Sequence, residues 1–314
     1  DALPISLVRY AKALEYEATA LNIATKVLGT DHPDLADIHN AFGIIFRHEG
    51  KYEQAMNHHS LALDIRKRYF GDSYPGLIPC YNSMGIIYRM EHKIPKSLEM
   101  HKKALKLAED LYGENHPDVA DCYNCIGAAY NFDNKPIEAL EYHAKALQIR
   151  KKCFGKIHPD VAQSCNNIGL IYKSQHEYVK ALKYLKKSVE LKRKCFGEEN
   201  PDIATVYSNI AIVYTQQGKY LEALEYQRLA LEIKKQFYGE NHSEVAKSID
   251  NLGITYMKKG DFDLAKEYFK KATKIAVGLF GENHPDTKKY RKHLDYLENR
   301  DSAQEKTEEM LNFF

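Results

Sequence analysis

Fourteen histidines and six cysteines are the side chains of this chain best suited to metal binding or proton transfer. Their spacing argues against a site. His32, His116, His158, His242 and His284 fall at multiples of 42 residues, His59, His101 and His143 form a second series with that interval, and Cys80/Cys122 and Cys153/Cys195 are also 42 apart. A position that recurs this way belongs to an architectural repeat, and the first histidine series, sitting just before a helix start, reads as a capping device. Cys122-x-x-Cys125 places two thiols on neighbouring positions of one helix, but no second pair or nearby histidine completes a zinc set. No glycine-rich phosphate loop, H-E-x-x-H or nucleophile elbow is present. The chain is therefore expected to bind rather than catalyse, with no cofactor and no metal. Cysteines that follow the repeat instead of a pairing scheme point to reduced thiols in the cytoplasm.

A different chemistry recurs with the same interval. One series reads Asn40, Asn82, Asn124, Asn166, Ser208 and Asp250, and the next position reads Ala41, Ser83, Cys125, Asn167, Asn209 and Asn251. One turn on come Ile44, Ile86, Ala128, Leu170, Ile212 and Ile254, followed by Arg47, Arg89, Asn131, Lys173, Thr215 and Met257. Carboxamides both donate and accept, so a ladder of them can satisfy an extended peptide backbone. The aliphatic row offers shallow apolar pockets, and Arg47, Arg89 and Lys173 can take carboxylates, arginine in a bidentate way. The candidate peptide-binding set is Asn40, Ile44, Arg47, Asn82, Ile86, Arg89, Asn124, Asn131, Asn166, Asn167, Lys173, Asn209 and Asn251. A competing reading has the asparagines bonding the neighbouring hairpin and the aliphatic row buried between stacked helices.

The elements that carry these rows are set by punctuation. Gly29, Gly71, Gly113, Gly155, Gly197, Gly239 and Gly281 are each 42 residues from the next, and a proline follows each of them except at Ser243. Glycine at C′ suits a left-handed residue that ends a helix, and proline at N1 begins the next without losing a needed donor. Between these marks each unit reads as two helices. In the third unit the first, about 118–132, aligns Tyr123, Ile126, Gly127 and Tyr130, and the second, about 135–154, carries Ala139, Leu140, Ala146, Leu147 and Ile149. A hairpin of this size cannot bury its apolar face alone, so neighbours must stack into a continuous core. The expected organisation is a truncated repeat over 1–33 with its second helix at 9–28, six full hairpins over 34–285, a capping helix at 286–300 and a tail at 301–314, all one domain. The chain lacks an initiator Met and is read as part of a longer protein.

The small-residue and aromatic pattern I-G-A-A-Y…A-L…A-L resembles the tetratricopeptide repeat. Its stretched form, with G-E-N-H-P-D-V-A between hairpins, is similar to the 42-residue repeats of kinesin light chains, nephrocystin-type ciliary proteins and STAND signalling proteins. The resemblance implies an all-α, right-handed superhelical solenoid of antiparallel helix hairpins whose concave surface is lined by the asparagine, isoleucine and basic rows. It also implies an adaptor or scaffold that holds a protein or peptide partner, acidic with an apolar or aromatic anchor, as in kinesin-light-chain cargo recognition. The alternative is a ligand-sensing regulatory arm of a larger STAND-type protein.

Bulk composition narrows the partners further. Forty-five basic against 43 acidic residues give a formal charge of +2, too balanced for a strong field toward nucleic acid or an anionic membrane. No apolar run reaches the roughly eighteen residues that span a bilayer, so neither nucleic-acid binding nor membrane insertion is expected. Two irregularities stand out. Pro79, soon after Pro75-Gly76, predicts a helix that begins late or bends. The apolar end Met310-Leu311…Phe313-Phe314 of a polar tail predicts a segment that docks, either back on the last repeat or in a groove.

Overall fold

The computed structural model describes residues 5–30 and 32–311, without the side chains of 5–11, 13 and 301–311. Fourteen α-helices and no strand occur among the described residues. They divide into two compact units that part at Glu177/Tyr178, with residues 5–8 at the start of the first helix grouped with the later one.

The first unit holds α1 (Ile5–Leu28), α2 (Leu35–His48), α3 (Tyr52–Phe70), α4 (Leu77–Met90), α5 (Ile94–Tyr112), α6 (Pro117–Phe132), α7 (Pro136–Phe154) and α8 (Pro159–Ser174). Helices α2/α3, α4/α5 and α6/α7 pair as hairpins, and each second helix also packs on the next first helix. The core is shared in that way: Ile78, Ala104, Ala108, Val119, Cys122, Ala146 and Ile149, from four successive helices, form one buried cluster. The second unit holds α9 (Tyr178–Phe196), α10 (Pro201–Gln216), α11 (Tyr220–Tyr238), α12 (Ser243–Lys259), α13 (Phe262–Phe280) and α14 (Pro285–Leu311). Here α10/α11 and α12/α13 are hairpins, and Leu224, Leu252, Tyr256, Phe269 and Leu297 carry the core across α11 to α14.

The recurring small residue of the first helix has a specific cause. A Cβ on Gly85 would lie 2.5 Å from the His101 ring, one on Gly43 2.6 Å from His59, one on Gly127 2.9 Å from His143, and one on Gly253 2.6 Å from Phe269. The bulky side chain comes from the partner helix sixteen positions later, so glycine here is required by close packing. His59, His101 and His143 are consequently buried, and burial pushes all three down to about 4.

The helix ends differ from expectation in an instructive way. Gly71, Gly113 and Gly239 do have positive φ, but with ψ near 180° (for Gly71, φ 80° and ψ 178°), an extended mirror-image conformation open essentially to glycine alone. The left-handed cap sits instead just after each first helix from α2 to α12, where Gly50, His92, Asn134, His176, Gly218 and Gly260 recur with positive φ. There the His92 amide donates to Arg89 O and the Lys93 amide to Tyr88 O, the paired bonds of a Schellman motif.

Helix starts use the histidines as caps. Nδ1 of His116, His158, His242 and His284 accepts the backbone amide two residues on, and Asn200 Oδ1 does so where asparagine takes the place of histidine, while Tyr74 holds that position before α4. The preceding aromatic stacks on the same ring, as Tyr112 on His116 at 4.0 Å between centroids. Helix α4 does start two residues later than its counterpart α6, but so does α2, which has no proline at the matching position. Pro79 lies in the first turn of α4, where its missing N–H costs nothing. At the other end, α14 runs through Leu311, well past the cap end expected near residue 300. The apolar residues proposed to dock have side chains outside the described set.

Candidate functional site

The rows on the first helices separate once partners are assigned. The row beginning at Asn40 turns toward its own hairpin and the next. Asn82 Oδ1 lies 2.9 Å from His101 Nδ1, and its Nδ2 donates to Cys122 Sγ on α6 at 3.5 Å. Asn166 is only 6% exposed and Asp250 is fully buried. Asp250 accepts from His293 Nδ1 on α14 at 2.7 Å, with Lys289 at 3.9 Å, so this position fastens α14 to the last hairpin. Asn40 is half-buried, its Oδ1 enclosed without a hydrogen-bond partner. Asn82 and Asn166, expected to offer their carboxamides to a partner, are thus drawn inward.

Asn124, of the same row, and residues of the neighbouring rows keep an open side. Asn167 Nδ2 donates to Asn124 Oδ1 at 2.8 Å, and Asn167 Oδ1 accepts from Gln163. This half-buried pair links α6 to α8 and leaves hydrogens of the Asn124 carboxamide uncommitted. Asn131 is exposed, Ile44 is 39% exposed and Ile86 is half-buried. In the second unit, described by itself, Asn209 and Asn251 are half-buried at the corresponding positions of α10 and α12.

The cations of the first unit carry the unusual electrostatics. Arg89 is half-buried, and burial lowers its pKa, with the nearby Arg47 charge adding in the same direction. Its guanidinium lies 5.9 Å from the Phe132 ring centroid. Arg47 Nη2 is 3.3 Å from His48 Nε2. Burial alone lowers Lys173. Among the described residues none of these three cations has a carboxylate partner, in contrast to Arg66 with Asp37 or Arg150 with Asp121. An ion held away from water without a counter-ion is costly. The arrangement suits an incoming carboxylate, flanked by aliphatic and aromatic surface.

Sequence reading did not single out Phe132 beside Arg89, nor a histidine pair in the first hairpin, His39 and His58, with Nδ1 atoms 3.1 Å apart. The latter occupies the place of the Tyr123/Tyr142 contact of the third hairpin, and the matching interval of 42 residues was the available signal. None of the six cysteines is paired in a disulfide. No three histidine, cysteine or acidic side chains among the described residues gather as a metal site requires, and no described helix is long and apolar enough to cross a membrane.

A tetratricopeptide-repeat family model matches six overlapping stretches, 7–68, 45–110, 81–152, 123–194, 160–236 and 202–276. The chain belongs to the tetratricopeptide-repeat family. Among solved structures it is similar to BtubC (BKLC) from P. vanneervenii, with TM-score 0.63 and 21% identity over 74% of this chain and 94% of that one. It is also similar to the nearly identical TPR-like repeats described as a kinesin light chain of Podosopora anserina (TM-score 0.55, 18% identity, 65% and 97% covered). The apo form of RapI gives TM-score 0.59 and 17% identity over 86% and 92%. A search of curated proteins finds no match by sequence. At these identities the likeness is one of fold, a solenoid of helix hairpins; the tetratricopeptide repeats themselves support a protein-interaction scaffold.

Proposed function

We propose that the first-helix face of the first unit binds an extended, acidic polypeptide segment carrying an apolar or aromatic anchor. The observation behind this reading is the set of half-buried, unpaired cations Arg89 and Lys173, with Arg47 close by. In the proposed complex a partner carboxylate takes the Arg47/Arg89 pair, and an anchor side chain lies against Ile44, Ile86 and Phe132. The Asn124–Asn167 pair and Asn131 meet the partner's backbone, and Asn209 and Asn251 offer the same chemistry on the second unit. Arginine's fork favours a carboxylate in the plane of its guanidinium. The chain itself acts as an adaptor or scaffold in the cytoplasm and performs no catalysis, and cargo recognition of the kinesin-light-chain kind is its nearest functional analogy. No observation favours the reading as a sensor arm of a STAND-type protein.

Titrating labelled peptides that are acidic with one aromatic residue, acidic without it, and basic with it tests the chemistry. The first should bind most tightly and weaken as salt rises. Equal affinity for the basic peptide contradicts the reading.

A further inference from the structure

The unpaired cations of the first unit are unevenly spaced. Arg47, Arg89 and Lys173 occupy one position of the 42-residue period, on α2, α4 and α8, and Asn131 holds that position on α6. The row therefore reads cation, cation, carboxamide, cation. All three cations are half-buried, whereas Asn131 is exposed. Acids close to the row in sequence do not neutralise it. Those two residues after its first three positions have lysines of their own: Glu49 with Lys51 at 2.9 Å, Glu91 with Lys93 at 3.1 Å and Asp133 with Lys135 at 2.7 Å. After Lys173 the matching residue is Gln175, which carries no charge. Carboxylates brought by a partner are thus the counter-ions that this row lacks.

The helices that carry the row lie side by side. Asn82 on α4 donates to Cys122 on α6, Asn124 on α6 accepts from Asn167 on α8, and α2 touches α4. Helices in contact stand about 8–10 Å apart, and an extended chain advances about 3.3 Å per residue. One step along the row therefore matches about three residues of an extended partner, and the two steps from Arg89 to Lys173 match about six. The interval between those two cations has its own chemistry. Asn131 presents a carboxamide there, and the neighbouring Phe132, 44% exposed, has its ring centroid 5.9 Å from the Arg89 guanidinium.

We propose that this row selects its partner by the spacing of acids, an inference that rests on the proposed peptide-binding role of the same face. Two carboxylates about three residues apart take Arg47 and Arg89, and a third, about six residues beyond, takes Lys173. The aromatic anchor falls between the second and third acids, over α6 and against Phe132. An acid placed midway in that interval meets Asn131 and gains no counter-ion. Acidic segments of equal net charge are therefore told apart by where their carboxylates fall, a difference of affinities set by one neutral position in a basic row.

The test uses the full chain and labelled peptides of a single composition, three glutamates and one phenylalanine among neutral polar residues, followed by fluorescence polarisation. One peptide carries its glutamates in the proposed spacing. A second has the last glutamate moved to the middle of the interval, opposite Asn131, and the phenylalanine stays beside the middle glutamate in both. Each is made in both chain directions. The better-bound direction of the first should exceed both directions of the second by about fivefold or more. Lys173→Ala should remove that advantage. Asn131→Arg should raise the affinity of the second peptide by a similar factor, a gain that damage to the fold does not produce. Equal binding of the two peptides by the native chain, or no gain from Asn131→Arg, overturns the spacing proposal and leaves acidic-peptide binding standing. Failure of both to outbind a basic peptide of the same length overturns the underlying reading as well.

Discussion

At the scale of single residues, the fold depends on a contact between a glycine and a ring. Gly85 and His101 illustrate it: the added Cβ of Gly85→Ala would meet the buried imidazole at 2.5 Å. Overpacking of this kind costs roughly 1–3 kcal/mol. Urea denaturation should show that loss for Gly85→Ala in the native background, and a much smaller one in a His101→Ala background where the space is free. Equal losses in both would mean that the ring is not what excludes the methyl. The same burial makes stability depend on pH. His59, His101 and His143 titrate near 4 when folded instead of 6.5, so between those values the unfolded chain binds more protons. Stability should therefore rise with pH through this window and fall as pH drops from about 6.5 toward 4, at about 1.4 kcal/mol per pKa unit for each site. Replacing all three by leucine, the residue at the matching position 185, should flatten that slope in denaturation series run across the window. A slope unchanged by the triple replacement would assign it to other groups.

At the scale of elements, His116, His158, His242 and His284 each perform two tasks before a first helix, accepting an amide and stacking on the preceding aromatic. His116→Ala removes both and should cost about 1 kcal/mol or more in thermal or urea melts. His116→Asn restores the acceptor, as Asn200 does in its own unit, and should recover part of the loss; no recovery would show that the stack alone matters. The helices themselves were readable within a residue or two from the 42-residue punctuation, as α6 and α7 show, because glycine, proline and the small-residue positions act locally. Reading the site was harder. Asn82 and Asn124 recur at one position of the period, yet His101 and Cys122 engage the first while Asn167 engages the second. Which carboxamide is consumed depends on side chains contributed by other helices, and a single helix's stripe does not contain that information. The left-handed cap was misplaced for a related reason: Gly50 and Gly218 recur as histidine or asparagine in other units, so the conformation outlasts the residue that would advertise it.

At the scale of the whole molecule, balanced composition conceals local fields. Near-neutral charge correctly described the sum, but it missed the desolvated Arg89 and Lys173, since only packing shows which cations lack a counter-charge. Solenoid architecture makes such placement affordable, because each repeat leans on its neighbours alone and one strained position need not disturb distant ones. The central claim is that the unpaired cations of the first unit await a carboxylate. It is tested most directly by calorimetric titration of an acidic, aromatic-containing peptide into the native chain and into the Arg47→Ala, Arg89→Ala variant, in buffer of moderate ionic strength. Loss of the paired charges should weaken binding by about 2–5 kcal/mol of affinity at a partly desolvated site, without lowering the melting temperature. Unchanged affinity of the variant would contradict the account.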